Sequence, residues 1–255
     1  MRALKQWVRR MLAASGYVVF NTNSDVCYAR DCLFTTNNDS FRDDLQFQAA
    51  YARGVAAGRG VDPLNDWRLH VALWCAENAA HRPGCFVECG VNAGFTSSAI
   101  MHQLNWRGED RSYYLIDTFA GPVASQFSAD EISDGRLDHA LDAQRRGAYV
   151  DDLTRIEDNF REWPNVKIVP GVVPDVLSTL DIKQVAFLHL DMNCAYPEAS
   201  ALRFFWPLMT QGGIILFDDY AYFGNDVLKK AIDEVATEIG TCVLSLPTGQ
   251  GLILK

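Results

Sequence analysis

From residue 84 onward the chain alternates between short apolar runs and longer segments with apolar residues at helical spacing. Runs at 85–88, 113–117, 166–169, 185–190 and 214–217 predict strands. Segments near 94–105, 129–160, 172–180, 197–209 and 225–239 predict helices, the second of them long enough for two. Strands that are apolar throughout, separated by helices, belong to a parallel sheet covered on both faces. The last two runs, CVLSLP and GLILK, are joined by TGQ alone, which is too short for a crossover helix and demands an antiparallel pair. The pattern therefore predicts an α/β, Rossmann-like fold, a seven-stranded mostly parallel sheet with an antiparallel last strand.

Residues 1–62 are less regular and read as an N-terminal helical extension, with the main domain at 63–255. A first helix ends near Gly16, residues 17–20 read as a short strand, and NTNSD and TTNNDS are polar loop. A second helix over 41–56 stops at the glycines 58 and 60, and Asp62-Pro63 marks the boundary. Asn65 is expected to cap a helix running through Trp67, Val71, Leu73 and Trp74. The opening stretch RALKQWVRR is basic and amphipathic, fit either to pack on its own domain or to touch a membrane surface or a partner.

At 255 residues the chain suits one large domain, or one domain with an extension. Its 49% hydrophobic and 22% charged residues are those of a soluble folded protein, not of a disordered one. A net charge of −9 argues against nucleic acid as a partner, because no basic excess exists to displace phosphate counterions. No apolar run reaches the ~18–20 residues of a membrane span. The N-terminus, broken at Ser15 and Gly16 and without a cleavage site, does not read as a signal peptide. Seven cysteines, irregularly spaced and without zinc-ribbon spacing, read as free thiols in a reducing cytoplasm.

The stretch FVECGVNAGFTSS, 86–98, ends a strand in a glycine loop. In an open α/β sheet ligands bind beyond the carboxyl ends of the strands, so this loop is a candidate ligand seat. Gly90 and Gly94 permit a sharp turn and close approach. The spacing differs from the G-x-G-x-x-G of dinucleotide sites, and Glu88 is a poor neighbour for a pyrophosphate but a good one for a cation. S-adenosylmethionine is such a cation, and Asp117, ending the strand YYLID, can accept hydrogen bonds from ribose hydroxyls. With these residues the chain resembles the class I methyltransferases. That resemblance implies that Glu88, Gly90, Asn92 and Gly94 surround the methionine end of the cofactor and that Asp117 holds the ribose. Phe119 and Gly121 would line the next wall, and Gly171 and Val172 would stand at the adenine.

Two further strands end in acids, VAFLHLD at Asp191 and GIILFDDY at Asp218 and Asp219. Neighbouring parallel strands would bring the three together, where they repel unless protons or a cation intervene. Oxygen-only donors favour Mg²⁺ or a similar divalent cation, which can chelate adjacent oxygens of an acceptor and acidify a hydroxyl. Asp191 is then a candidate both for metal ligand and for proton acceptor.

NVKIVPGVVPDVLSTL, LHLDMN and WPLMTQGGIILFDDY, together with DTFAG, resemble the macrocin O-methyltransferase group over roughly residues 84–255. That group methylates sugar hydroxyls with Mg²⁺, and the resemblance implies Asp191, Asp218 and Asp219 as metal ligands. The chain departs from it at Asn193, where a second acid is usual, in CAYPEAS, and in the ending PTGQGLILK, which resembles relatives among surface-glycan enzymes. The metal site therefore transfers better than the substrate. Asn193, Glu198, Tyr220 and Tyr222 are candidates for contacting the acceptor, and His139 lies on an expected lid helix. His189, alternating with apolar residues, reads as a core histidine. The extension at 1–62 is expected to cover the acceptor site or to form a subunit contact in a homo-oligomer. The expected activity is O-methylation of a sugar hydroxyl on a glycan or small molecule. Three alternatives stay open: a catechol-type phenol methyltransferase, a nicotinamide-dependent oxidoreductase and a non-catalytic cofactor-binding protein.

Overall fold

A computed structural model describes residues 2–17, 27–58 and 60–255. The chain begins with α1 (Arg2–Ala14), a hairpin of β1 (Tyr28–Arg30) and β2 (Leu33–Thr35), then α2 (Leu45–Ala57) and α3 (Asp66–Ala80). The alternating part follows as β3 (Cys85–Cys89), α4 (Phe95–Gln103), β4 (Tyr113–Asp117), α5 (Ala129–Ser133), α6 (Arg136–Arg145), α7 (Leu153–Phe160) and β5 (Val166–Pro170). It continues through β6 (Val185–Leu190), α8 (Ala195–Phe205), β7 (Met209–Phe217) and α9 (Asp226–Glu238), and closes with β8 (Leu244–Ser245) and β9 (Gly251–Leu254).

Seven strands form one sheet in the order β5-β4-β3-β6-β7-β9-β8. The first five are parallel, and β9 runs antiparallel to both β7 and β8. The strand order reverses between β3 and β6, so the carboxyl edge there is the crevice where such sheets bind ligands. Every residue of β6 is buried, as expected of a central strand that is apolar except at His189. One face of the sheet is covered by a core that includes Phe47, Leu69, Ile100, Ile156 and Phe160 from α2, α3, α4 and α7. The other packs on Leu202, Phe205, Leu228, Ile232 and Val235 from α8 and α9.

Three local expectations change. The segment 172–180 forms no α-helix, only a 3₁₀ turn at Leu177–Thr179, because Pro174 disfavours helical backbone at Val173 and leaves too short a stretch beyond it. Residues 129–160 hold three helices rather than two, since Gly135 at φ 76° separates α5 from α6. The polar loop before α2 contains the hairpin β1–β2, paired from Tyr28↔Thr35 to Arg30↔Leu33. Asn65 does stand at the N-cap of α3, but its side chain makes no capping bond. The short strand expected at 17–20 falls mostly outside the described residues.

Candidate active site

The carboxyl edge of β3, β4 and β6 opens into a cavity lined from all three strand ends by Gly90, Asp117 and Asp191. The loop after β3 makes its floor. Gly90 has φ 87°, and a Cβ there would stand 1.9 Å from the Asp191 carbonyl oxygen, so only glycine lets the ends of β3 and β6 approach this closely. Asp117, at the end of β4, fastens that loop. Its Oδ2 accepts from the amides of Val91 (2.7 Å) and Asn92 (2.9 Å), and its Oδ1 from that of Phe119 (2.8 Å). Asn92 in turn donates to Ala148 O and accepts from Val150 N, both at 2.9 Å, tying the loop to the far wall.

That wall is a flap between β4 and α7, held at two points. Glu131 on α5 closes a capping box with Ser128 and accepts from the amide of Ala195, at the first turn of α8, at 2.8 Å. Gln126 Nε2 donates to Val173 O at 2.5 Å. Pro122, Val123, Phe127 and Ala140 give the cavity an apolar side, and Tyr149 lies between them and Asp191. Among the lining residues Asp117 and Asp191 are the only acids, and no Lys or Arg is present. Such a lining attracts a cation and repels a phosphate.

Of the residues expected around a cofactor, Gly90, Asn92, Asp117, Gly121 and Gly171 line this cavity. Glu88 does not. It lies 2% exposed behind the loop, where Oε1 pairs with His189 Nδ1 at 2.9 Å across the β3–β6 register. Gly94 is the left-handed N-cap of α4, packed on Phe160, and Phe119 is turned into the core. Val173 rather than Val172 reaches the cavity. His189 also has Nε2 3.7 Å from Asp218 Oδ1, within ion-pair reach. Burial alone would strip its proton, but two flanking carboxylates outweigh this and hold the imidazole well above its ordinary range. His189 is thus a core histidine paired with Glu88 across the sheet.

The three acids do meet, with Asp191 at the cavity and Asp218 and Asp219 beside it. Burial, then the charges of Asp218 and Asp219, pushes the Asp191 carboxyl well up. Asn193, at φ 56°, donates Nδ2 to Asp191 Oδ1 at 3.1 Å and lines the cavity. The counter-charge, however, is an arginine. Arg68, on α3, donates Nη2 to Asp218 Oδ2, to Asp218 O at 2.8 Å and to Asp219 Oδ1 at 2.7 Å. Burial would raise Asp218, but Arg68 and then His189 hold its carboxyl below the usual range. Asp31, from the turn between β1 and β2, lies 3.8 Å from Arg68 Nη1 and accepts from the Tyr222 hydroxyl at 3.1 Å. The Tyr222 ring stacks on the guanidinium at 4.9 Å. Gln250, fully buried, donates to Asp218 Oδ1 at 2.9 Å.

The donor chemistry of the trio is that of a hard divalent cation. Among the described residues, no three His, Cys, Asp or Glu side chains already stand together as a metal cluster. Arg68 takes the carboxylates a metal would need.

The remaining acceptor candidates are dispersed. Glu198 is fully buried and accepts from the amides of Met192 (3.0 Å) and Asn193 (3.1 Å), shaping the loop that carries Asp191 instead of facing a ligand. Burial, then Asp219, raises its carboxyl to about 8 against the pull of those two amides. Tyr220 is buried and bonds to Asp233 on α9. His139 faces solvent on α6, while its neighbour Ala140 lines the cavity. Arg68, Gln250, Asp31, Tyr149 and Glu131 escaped the sequence reading. A charge within the apolar run of α3 was the one available signal for Arg68.

A family model for macrocin-O-methyltransferase (TylF) matches residues 67–238. The 8-demethyl-8-(2,3-dimethoxy-alpha-L-rhamnosyl)-tetracenomycin-C 4'-O-methyltransferase of Streptomyces olivaceus is 28% identical over 185 residues, which are 68% of this chain and 66% of that protein. Among solved structures, the O-methyltransferase NovP superposes with a TM-score of 0.60 at 23% identity, over 74% of this chain and 79% of its own. The calicheamicin methyltransferase CalS11 does so with a TM-score of 0.54 at 15% identity, over 89% and 97%. These two likenesses show the fold.

Proposed function

The chain belongs to the macrocin-O-methyltransferase (TylF) family, and from that premise we propose that it is an S-adenosylmethionine-dependent O-methyltransferase acting on a sugar hydroxyl of a glycan or glycosylated natural product. The observation that carries the reading is the cavity lined by two carboxylates and no base, at the switch point of the sheet. A sulfonium and an ammonium suit that lining, whereas the pyrophosphate of a nicotinamide cofactor does not. The sugar acceptor is supported by the family and by the rhamnosyl-directed name of the Streptomyces olivaceus relative.

When bound, S-adenosylmethionine supplies a methyl group activated by its sulfonium. This chain's residues supply the rest. Asp117 keeps the glycine loop in the shape that admits a ligand, and Gly90, Asn92 and Gly171 contribute close walls. The flap latched by Glu131 and Gln126 excludes water from the cavity. Asp191 stands where the cavity meets the acid cluster, with Oδ1 held by Asn193 and Oδ2 without a protein donor among the described residues. It is placed to accept the proton of an incoming hydroxyl. Methyl transfer is in-line, so fixing the hydroxyl supplies much of the acceleration.

The proposal extends to a divalent cation. Asp191, Asp218 and Asp219 would hold Mg²⁺ in exchange for Arg68, and the ion would supply positive charge that acidifies a chelated hydroxyl. Residues 28–57 form the cover of the acceptor side in this reading, since Asp31 and Tyr222 close over Arg68. Seven free thiols fit a cytoplasmic setting.

Isothermal calorimetry with S-adenosylmethionine, with and without Mg²⁺, tests the cofactor. Binding in the low-micromolar range is expected, and no binding under either condition overturns the reading. Methyl transfer to a panel of glycosides and catechols then tests the acceptor class, with glycosides expected to turn over and Asp191→Ala to abolish turnover.

A further inference from the structure

Helix α1 carries an apolar stripe that the molecule leaves open. Leu4, Trp7, Val8 and Met11 follow the i, i+3, i+4, i+7 spacing of one helix face and are 64%, 57%, 39% and 53% exposed. Lys5, Gln6, Arg9 and Arg10 fill the remaining surface. The helix RALKQWVRRMLAA contains four basic residues and no acid, in a chain whose net charge is −9. Its 13 residues make about 20 Å of helix, and among the described residues no helix is long and apolar enough to cross a membrane.

These features select among occupants. An acidic protein surface would pair with the basic side and leave Trp7 and Met11 in water. A second copy of α1 would bury the stripes against each other but draw two wholly basic faces together. An anionic bilayer satisfies both halves at once: apolar side chains enter the boundary between headgroups and acyl chains, tryptophan prefers that depth, and Lys and Arg meet the headgroup charge. We propose that α1 is an interfacial anchor for anionic lipid bilayers, lying in the membrane plane with Leu4, Trp7, Val8 and Met11 inserted. The acidic remainder of the chain is repelled by the same surface, so attachment runs through α1 and weakens steeply with salt.

The experiment is co-sedimentation of the full chain with large unilamellar vesicles of phosphatidylcholine, with and without phosphatidylglycerol. Binding is expected only with phosphatidylglycerol and is expected to fall as NaCl is raised. Lys5→Gln and Arg10→Gln should each lower partitioning about fivefold, and Trp7→Ser by about tenfold or more. Thermal midpoints of these variants should match the parent, because none of the residues is in the core. Three results would overturn the proposal. They are no binding to phosphatidylglycerol vesicles, equal binding to both vesicle types, and a lipid-free dimer in light scattering that Trp7→Ser dissociates.

Discussion

Arg68 and Asp219 lie on elements from opposite ends of the sequence, yet the guanidinium donates to the carboxylate at 2.7 Å and both groups are buried. One cation thereby holds together acids that would otherwise drive the ends of β6 and β7 apart. In the proposed reading a metal ion would compete with Arg68 for these carboxylates.

Replacing Arg68 by Met leaves buried carboxylates uncompensated and should cost about 3–5 kcal/mol of stability without divalent cation. Added Mg²⁺ or Mn²⁺ should restore much of the loss, seen as a rise in thermal midpoint larger than in the parent. Electron paramagnetic resonance of Mn²⁺ should show tighter binding by the variant. A variant as stable as its parent, with unchanged Mn²⁺ affinity, would contradict the exchange.

Glu198 makes stability depend on pH. Its folded value of about 8 lies above its ordinary 4.5, so the folded state binds the proton more tightly than the unfolded one. The stabilisation is fully present below pH 4.5 and is lost as pH rises toward 8. The loss is of the order of a few kcal/mol. Glu198→Gln keeps an acceptor for the Met192 and Asn193 amides and should flatten this part of the profile in urea titrations. Glu198→Ala should also flatten it, while costing a further ~1–3 kcal/mol at every pH because two amides lose their acceptor.

Asp117→Ala removes the acceptor of three loop amides and should weaken S-adenosylmethionine binding at least about tenfold, measured by calorimetry. Asp117→Asn, which retains one carbonyl oxygen, should fall between the variant and the parent. Equal affinity in all three would show that the loop holds its shape without this carboxylate.

Glu131→Ala should loosen the flap while leaving its apolar wall in place. Faster cofactor dissociation in stopped-flow fluorescence is expected, with a smaller change in association. Amide exchange should accelerate at Ala195, whose N–H loses its partner.

The parallel strands were readable because β3 and β6 are buried on both faces and so are apolar apart from Glu88 and His189. The antiparallel end was readable because TGQ cannot hold a crossover. Other features depend on relations that a linear pattern lacks. His189 reads as an ordinary core residue until the β3–β6 register sets it opposite Glu88. His139 and Ala140 differ by one position on a polar helix, too little for the pattern to choose which faces the cavity. Arg68 sits in an apolar helix, and only the path of α3 over the ends of β6 and β7 shows what it neutralises. The missing helix at 172–180 was foreseeable from Pro174.

The acid cluster also bears on when the protein becomes competent. Asp31, Arg68, Asp191, Asp218 and Gln250 meet there, and the antiparallel β9 carries Gln250 back beside β7 to bond Asp218. Contacts of such sequence separation form late, after the loops between them have closed. The charge balance beside the cavity is therefore complete only when the last strand of the chain has docked on β7.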